Sequence, residues 1–350
     1  MPRLKSLGYS HDVLEQLSCS RRTSSNRTYA SKWRLFAQFC SDRGCDAFAA
    51  SPALVADFLL FVARTRHASV STLAVYRTAV GHVLRLVTGY DPGTCPILSQ
   101  LMQSFKRTQL VPVSRVPQWD VTLVLDVLCR ATSDDVSLSD DLLTAKTVFL
   151  FALASGVRRH ALAALRFPPL FKQGSVTVTY DHAFVPTSYF VRHNLTKIAL
   201  LSLPACPLPN LQRVCPVRTL RAYCIRTRRR RSAQQTSLFI PVDPSVCTNI
   251  SVHSIARFIV KIVHWCYASA SRERPDCHAH DVRKIAASLR ALSSVSLQDV
   301  LGAGDWSSPH TFLKHYNVQF SDDQVSRLTR FDGVPVARTV LCSQETRPTA

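Results

Sequence analysis

The stretch from His280 to Tyr316 places the tightest constraint on this chain. It reads His280-Asp281-Val282-Arg283, then a helix-like run, then Leu301-Gly302-Ala303-Gly304-Asp305-Trp306, and finally Thr311-Phe312-Leu313-Lys314-His315-Tyr316. A histidine and an arginine three residues apart share one helix face and can address one anion. The tyrosine follows a glycine-containing break, so it belongs to a separate element. A fold that uses all of them must bring the two elements to one place. Arginine holds non-bridging phosphate oxygens in a planar fork, and a phenol supplies an oxygen nucleophile. The set suits attack on a phosphodiester.

The charge of the chain points the same way. Lys and Arg number 43 against 23 Asp and Glu, a formal net charge of +20 over 350 residues. Such an excess speaks of partners rather than of fold, and nucleic acid is the first of them. An anionic membrane surface is the weaker choice, because no apolar run approaches the ~20 residues of a membrane span. The beginning of the chain, with His11, Asp12 and Glu15, lacks a signal-peptide core. Twelve cysteines run from Cys19 to Cys342 without a C-x-x-C pair. Cys277 and His278 beside His280 lack a second ligand pair, so reduced, partly buried thiols are expected rather than a metal site.

Helical periodicity dominates. Residues 1–22 are expected to form a flexible N-terminus. Ser24 or Ser25 can cap a helix bearing Tyr29, Trp33, Phe36 and Cys40. Ser51-Pro52 starts a second. Ser71 or Thr72 opens a third, which Gly89 ends, and Pro96 opens a fourth. Four short helices over 23–108 make a compact bundle. Residues 109–118, with Pro112 and Pro117, read as a linker. Asp120 then caps a helix. A longer one runs from Ser139 to Ala154 and stops at Ser155-Gly156-Val157-Arg158-Arg159-His160, with a further helix from Ala161 to Leu165. Ser175–Tyr180 and Lys197–Leu203 read as two strands of a small antiparallel sheet. Val217–Arg226 and Val252–Tyr267 are helical again. The densest charge run, Arg226 to Arg231 with Thr227 inside it, reads equally as a solvated loop, a nuclear address or a phosphate contact. Residues 321–350 form a tail without a strong pattern.

Taken in order, Ser155-Gly156-Val157-Arg158, His280-Asp281-Val282-Arg283, Trp306 and Tyr316 resemble the tyrosine recombinases, the group of phage integrases and Cre-like enzymes. More narrowly, Pro117-Gln118-Trp119-Asp120, Leu238-Phe239, Ala279 through Lys284, Trp306-Ser307-Ser308, Thr311-Phe312 and His315-Tyr316 look like the recombinases of DIRS-type retroelements. The resemblance covers roughly residues 24 to 320.

The resemblance implies a mainly α fold. A SAM-like N-terminal core-binding bundle would be followed by an α-rich catalytic domain, residues 119–320, with a small antiparallel β-sheet. The two domains would grip double-stranded DNA, with self-association from dimer to tetramer on it, in the nucleus, and with no metal or cofactor. Tyr316 would attack the scissile phosphate and form a 3′-phosphotyrosyl bond. Arg158 and Arg283 would stabilise the transition state, His280 would assist proton transfer, and Trp306 would fill the family's His/Trp position. The family's general-acid lysine lies on the hairpin. Here Thr187 stands near that place, and Lys197 ranks ahead of Lys172 as the substitute. Ala161 stands where the family usually carries an acid, and His310 lies nearer to Tyr316 than Trp306 does. The alternative expectation is a decayed or domesticated DNA-binding protein of the same fold.

Trace proteolysis should cut first between Thr108 and Gln118, where proline and the lack of periodicity argue for an exposed connection. First cleavage inside 120–165 would contradict the two-domain division.

Overall fold

A computed structural model describes residues 8–19, 23–89, 91–108, 117–131, 135–184, 197–201, 209–292, 296–304 and 309–316. Two compact units divide the chain, Met1–Val113 and Ser114–Ala350. Most of the expected linker, the tail after Tyr316, Thr187 and Trp306 lie outside the described residues. No described helix is long and apolar enough to cross a membrane.

Among the described residues the first unit is helical. Its elements are α1 (His11–Cys19), α2 (Thr23–Ser41), α3 (Pro52–Thr65), α4 (Val70–Thr88) and α5 (Pro96–Thr108). The helix α1 falls where the sequence promised only a flexible end, and Leu14 on it is buried. Ser51 caps α3 by accepting the Leu54 N–H, with Pro52 in the first turn. The cap of α4 is Ser69, not Ser71 or Thr72, and accepts the Thr72 N–H. Gly89 closes α4 in the left-handed region at φ 75°, where a side chain would be strained. The core gathers Phe36, Phe39, Phe58, Leu59, Leu73, Tyr76, Leu84 and Leu98. Phe58 meets the edges of Phe36 and Phe39 at centroid distances of 5.0 and 5.3 Å, a favourable aromatic geometry.

The second unit is built around one buried helix. Its elements are α6 (Val121–Ala131), α7 (Asp140–Ser155), α8 (Arg159–Ala163), β1 (Leu170–Lys172), β2 (Ser175–Thr179), β3 (Lys197–Leu201), α9 (Pro216–Thr227), α10 (Val252–Ser269), α11 (Asp281–Leu292), α12 (Leu297–Gly304) and α13 (Pro309–His315). Every residue of α7 from Leu143 to Ser155 is buried, because α9, α10 and α11 all pack on it. A helix apolar on all sides has no solvent face to keep. Its buried hydroxyls are satisfied within the helix: Thr147 Oγ1 donates to the Leu143 carbonyl and Ser155 Oγ to that of Phe151.

The sheet has three strands rather than two, in the order β1-β2-β3, antiparallel throughout. The three-residue strand β1 is too short to show alternation. It turns into β2 through Gln173-Gly174, with Gly174 at φ 73°. The helix α8 begins at Arg159, two residues ahead of the expected start. Gly302 and Gly304 lie within α12 rather than in a break.

Acids gather at the N-terminal end of α7, where the helix dipole favours them. Asp140 is held by Arg226 and Arg230, and Asp141 by Lys261. Arg226 also reaches the Leu138 carbonyl at 3.1 Å, and Arg230 that of Val242 at 2.8 Å. Arg231 donates to the Ser237 carbonyl at 2.7 Å and lies 3.9 Å from the Phe167 ring centre. Three of the five arginines in the run are therefore structural clasp, while Arg228 and Arg229 face outward.

One ion pair is sealed inside the unit. Lys146 Nζ meets Asp135 Oδ1 at 2.8 Å, with side-chain exposures of 1% and 7%. Burial pushes the Lys146 ammonium below its ordinary range, and Asp135 opposes that shift. Asp135→Ala should cost about 3–5 kcal/mol in urea unfolding, since it strands a buried charge. The double variant Asp135→Leu with Lys146→Met should recover most of that loss. Equal stability of wild type and Asp135→Ala would show that the pair is solvated.

Candidate active site

The site forms at the C-terminal end of α7. Gly156 ends that helix at φ 64° and turns the chain toward Arg158. A side chain would be strained at that φ and would press on the tip of Arg290. A Cβ on Gly156 would come within 2.6 Å of Arg290 Nη1. The last carbonyls of α7 have no partners inside the helix, and α11 supplies them. Arg290 donates to the carbonyls of Ser155, at 3.2 Å, and Ala154. Arg283 Nη1 donates to the Gly156 carbonyl at 2.7 Å. These two arginines are seven residues apart, two turns of α11, so they share the face turned to α7. Both are buried. Burial, with Arg283 nearby, lowers the Arg290 guanidinium to about 10, still fully charged at neutral pH.

This anchoring fixes Arg158. It stands at the cap position of α8 with an extended backbone. Of the two neighbouring arginines, Arg158 is half-buried and Arg159 exposed.

His280 precedes the first turn of α11. Asp281 holds that start by accepting the His278 N–H at 2.9 Å, while its own N–H donates to the His278 carbonyl. Part of His280 is open to solvent, yet its imidazole is crowded by cations. Burial, then the charges of Arg283, Lys284 and Arg158, push its pKa down to about 4, against the opposite pull of Asp281. The ring is therefore neutral at pH 7 and able to accept a proton.

Tyr316 reaches the same place from α13. Its ring centre lies 5.5 Å from that of His280, edge to face, and 5.3 Å from the Arg283 guanidinium carbon. Its backbone is held twice: its N–H donates to the Phe312 carbonyl at 2.8 Å, and its carbonyl accepts from Ser288 Oγ at 2.7 Å. Beneath it Ala287, Val300, Leu301 and Phe312 form a small separate core.

The structure thus brings His280, Arg283 and Tyr316 into contact distance, with Arg158 close enough to act on His280. Lys197 opens β3 opposite Thr179, exposed, with no side-chain hydrogen bond or ion pair among the described residues. Lys172 ends β1, also exposed. His310 is exposed at the start of α13. Sequence reasoning missed Arg290 and Ser288. The seven-residue spacing of Arg283 and Arg290 was the available signal for the first. Nothing local marks Ser288, whose role depends on a residue 28 positions away. No group of three or more His, Cys, Asp or Glu suited to a metal occurs among the described residues.

An NMR titration should find His280 protonating near pH 4 instead of the ordinary ~6.5. Because the folded value is depressed, its contribution to stability is present above about pH 6.5 and is lost as pH falls through 4. Lys284→Met should move the midpoint upward. A wild-type midpoint near ~6.5 would mean that the ring stands clear of the cations.

No protein-family model and no curated protein matches this sequence. Solved structures do match in fold. A lambda integrase fragment, residues 75–356, as a dimer bound to a COC′ core site, aligns with TM-score 0.53 and 14% identity over 87% of this chain and 93% of that one. The XerH site-specific recombinase in a post-cleavage complex with palindromic difH gives 0.54 and 15%, over 81% and 74%. The Tn1549 transposon integrase with transposon right end DNA gives 0.56 and 11%, over 89% and 95%. At such identities the likeness concerns fold: this chain, mainly helical with a small three-stranded antiparallel sheet, has the fold of the tyrosine recombinases.

Proposed function

We propose that this protein cuts and rejoins double-stranded DNA through a 3′-phosphotyrosyl bond to Tyr316. The observation that carries the reading is the meeting of Tyr316 with a neutral His280 and the guanidinium of Arg283. A phenol with an ordinary pKa near ~10 is a weak nucleophile at pH 7 and needs a proton acceptor. His280 is placed to be that acceptor. As the Tyr316 oxygen bonds to phosphorus, the bond to the 5′ oxygen breaks, and that oxygen takes a proton. Arg158 and Arg283 balance the charge that grows on the non-bridging oxygens. A 5′-hydroxyl from another strand then reverses the step, so the phosphodiester energy is kept. Lys197 is the residue of this chain we assign to protonating the leaving oxygen, and Trp306 the donor near the phosphate.

The solved structures of the same fold are described as dimers bound to a core site and as a tetramer bound to a Holliday junction. They support DNA as the partner and self-association on it. From the DIRS-like motifs alone we propose in addition a role in mobile-element integration in the nucleus. Thr187 standing near the place where the family carries its lysine, with Lys197 exposed and without a side-chain hydrogen bond or ion pair among the described residues, favours a second reading, a DNA-binding protein that no longer cuts.

Nicked suicide duplexes carrying the element's own ends separate the two. Wild type should form a covalent protein–DNA adduct. Tyr316→Phe should bind equally and form none, and Arg158→Ala should slow the adduct by about 10²–10³. Tight binding without any adduct would place the non-cutting reading first. An adduct persisting in Tyr316→Phe would assign the nucleophile elsewhere.

A further inference from the structure

The arginine run from Arg226 to Arg231 is only partly explained by the clasp on Asp140. Arg226, Arg230 and Arg231 are folded inward onto Asp140 and backbone carbonyls. Three of the run's arginines are thereby unavailable to an extended linear address. Arg228 and Arg229 point outward, and they are not alone. Arg218, Arg221 and Ile225 on α9 are exposed as well. At about 100° per residue Arg218, Arg221 and Ile225 fall within an arc of about 60° on α9, and Arg228 and Arg229 follow directly in a 3-10 turn at its end. The opposite face of α9, with Val217, Leu220, Tyr223 and Cys224, is buried in the core.

This outward face is unusual in its chemistry. No acid occurs between Pro216 and Arg231. The side chains of Arg218, Arg228 and Arg229 make no hydrogen bond or ion pair among the described residues, and the Arg221 guanidinium lies 4.9 Å from the Phe171 ring centre. Arg218 and Arg221, a turn apart on α9, repel each other, and an anionic partner removes that repulsion. Ile225, 71% exposed, sits between the arginine pairs. Guanidinium forks in a row fit a row of phosphates. From position 218 to 229 the face runs about 16 Å, the axial length of four to five base pairs.

We propose that this face, Arg218, Arg221, Ile225, Arg228 and Arg229, binds a stretch of nucleic-acid backbone separate from the phosphate at the reacting centre. The proposal rests on the reading of the protein as DNA-binding. The separation follows from the clasp. Arg230, next to Arg229, holds Asp140 at the N-terminal end of α7, whereas Arg283 holds Gly156 at the other end. The sixteen residues of α7 set the two ends about 24 Å apart. The Arg228–Arg229 end therefore serves DNA beyond the cut, or a second segment, and not the reacting phosphate.

The test is the salt dependence of non-covalent duplex binding, by fluorescence anisotropy from about 50 to about 200 mM salt. Replacing Arg218, Arg221, Arg228 and Arg229 together by Ala should flatten the slope of log K against log salt by about 3–4. Arg228→Ala with Arg229→Ala alone should flatten it by about 2, while the four Arg→Lys changes should leave it near wild type. A mere loss of remote net charge is screened beyond about 10 Å and leaves the slope almost unchanged. Slopes equal to wild type in both Ala variants would overturn the proposal, and would leave an acidic protein segment as the better occupant. At saturating DNA the Ala variants should still form the Tyr316 adduct at the wild-type rate. An absent adduct in wild type together with a flattened slope in the variants would count against the cutting reading alone; a normal adduct with an unchanged slope counts against this surface alone.

Discussion

Everything in the second unit hangs on how the two ends of α7 are tied. A helix buried from Leu143 to Ser155 carries its macrodipole into a medium of low dielectric, and its last C=O groups have no partner inside the helix. The acids Asp140 and Asp141 sit at the positive end and are neutralised by Arg226, Arg230 and Lys261. At the negative end, Arg283 and Arg290 donate to the last carbonyls. The helix is thus closed by charge at both ends. The groups that close its far end are the ones that build the site.

That coupling makes the site a consequence of a helix terminus. Gly156 must take a positive φ for the chain to leave α7, and its missing side chain leaves room for Arg290. The turn delivers Arg158 within two residues. The arginine that binds the Gly156 carbonyl, Arg283, also faces Tyr316. Positive charge accumulates here at a cost: Arg290 is lowered by burial and by Arg283, and His280 by burial and three cations. The gathering of so many cations around one phenol is the arrangement on which the proposed attack on a phosphodiester rests. The neutrality of His280 follows from burial and from the same crowding by cations.

The arginine run shows why charge density in a sequence does not reveal its use. Arg226, Arg230 and Arg231 look identical to Arg228 and Arg229 in the chain. Their directions are set by the helical turn at the end of α9 and by what α7 and residues 237–242 place beside them. An arginine offered a carboxylate and several carbonyls becomes part of the fold. One turned to solvent keeps its fork for a partner.

Much was legible in the sequence because it was local. Serine followed by proline starts a helix, glycine with positive φ ends one, and periodicity marks the buried face. So the mainly helical fold with its small antiparallel sheet could be read from the chain, as could the ends of α4 and α7. The order of Arg158, His280, Arg283 and Tyr316 could be read as a set suited to phosphate chemistry. The short strand β1 and the helix α1 could not, since three residues show no alternation and α1 lacks a strong start signal. What only tertiary structure decided was which groups meet. The Arg290 cap, the Ser288 bond to Tyr316, the Lys146–Asp135 pair and the depressed imidazole of His280 each join residues that are distant in sequence or depend on burial. Local sequence fixes torsion angles and turns. Distances between elements, and the loss of water around a charge, exist only once the elements have packed.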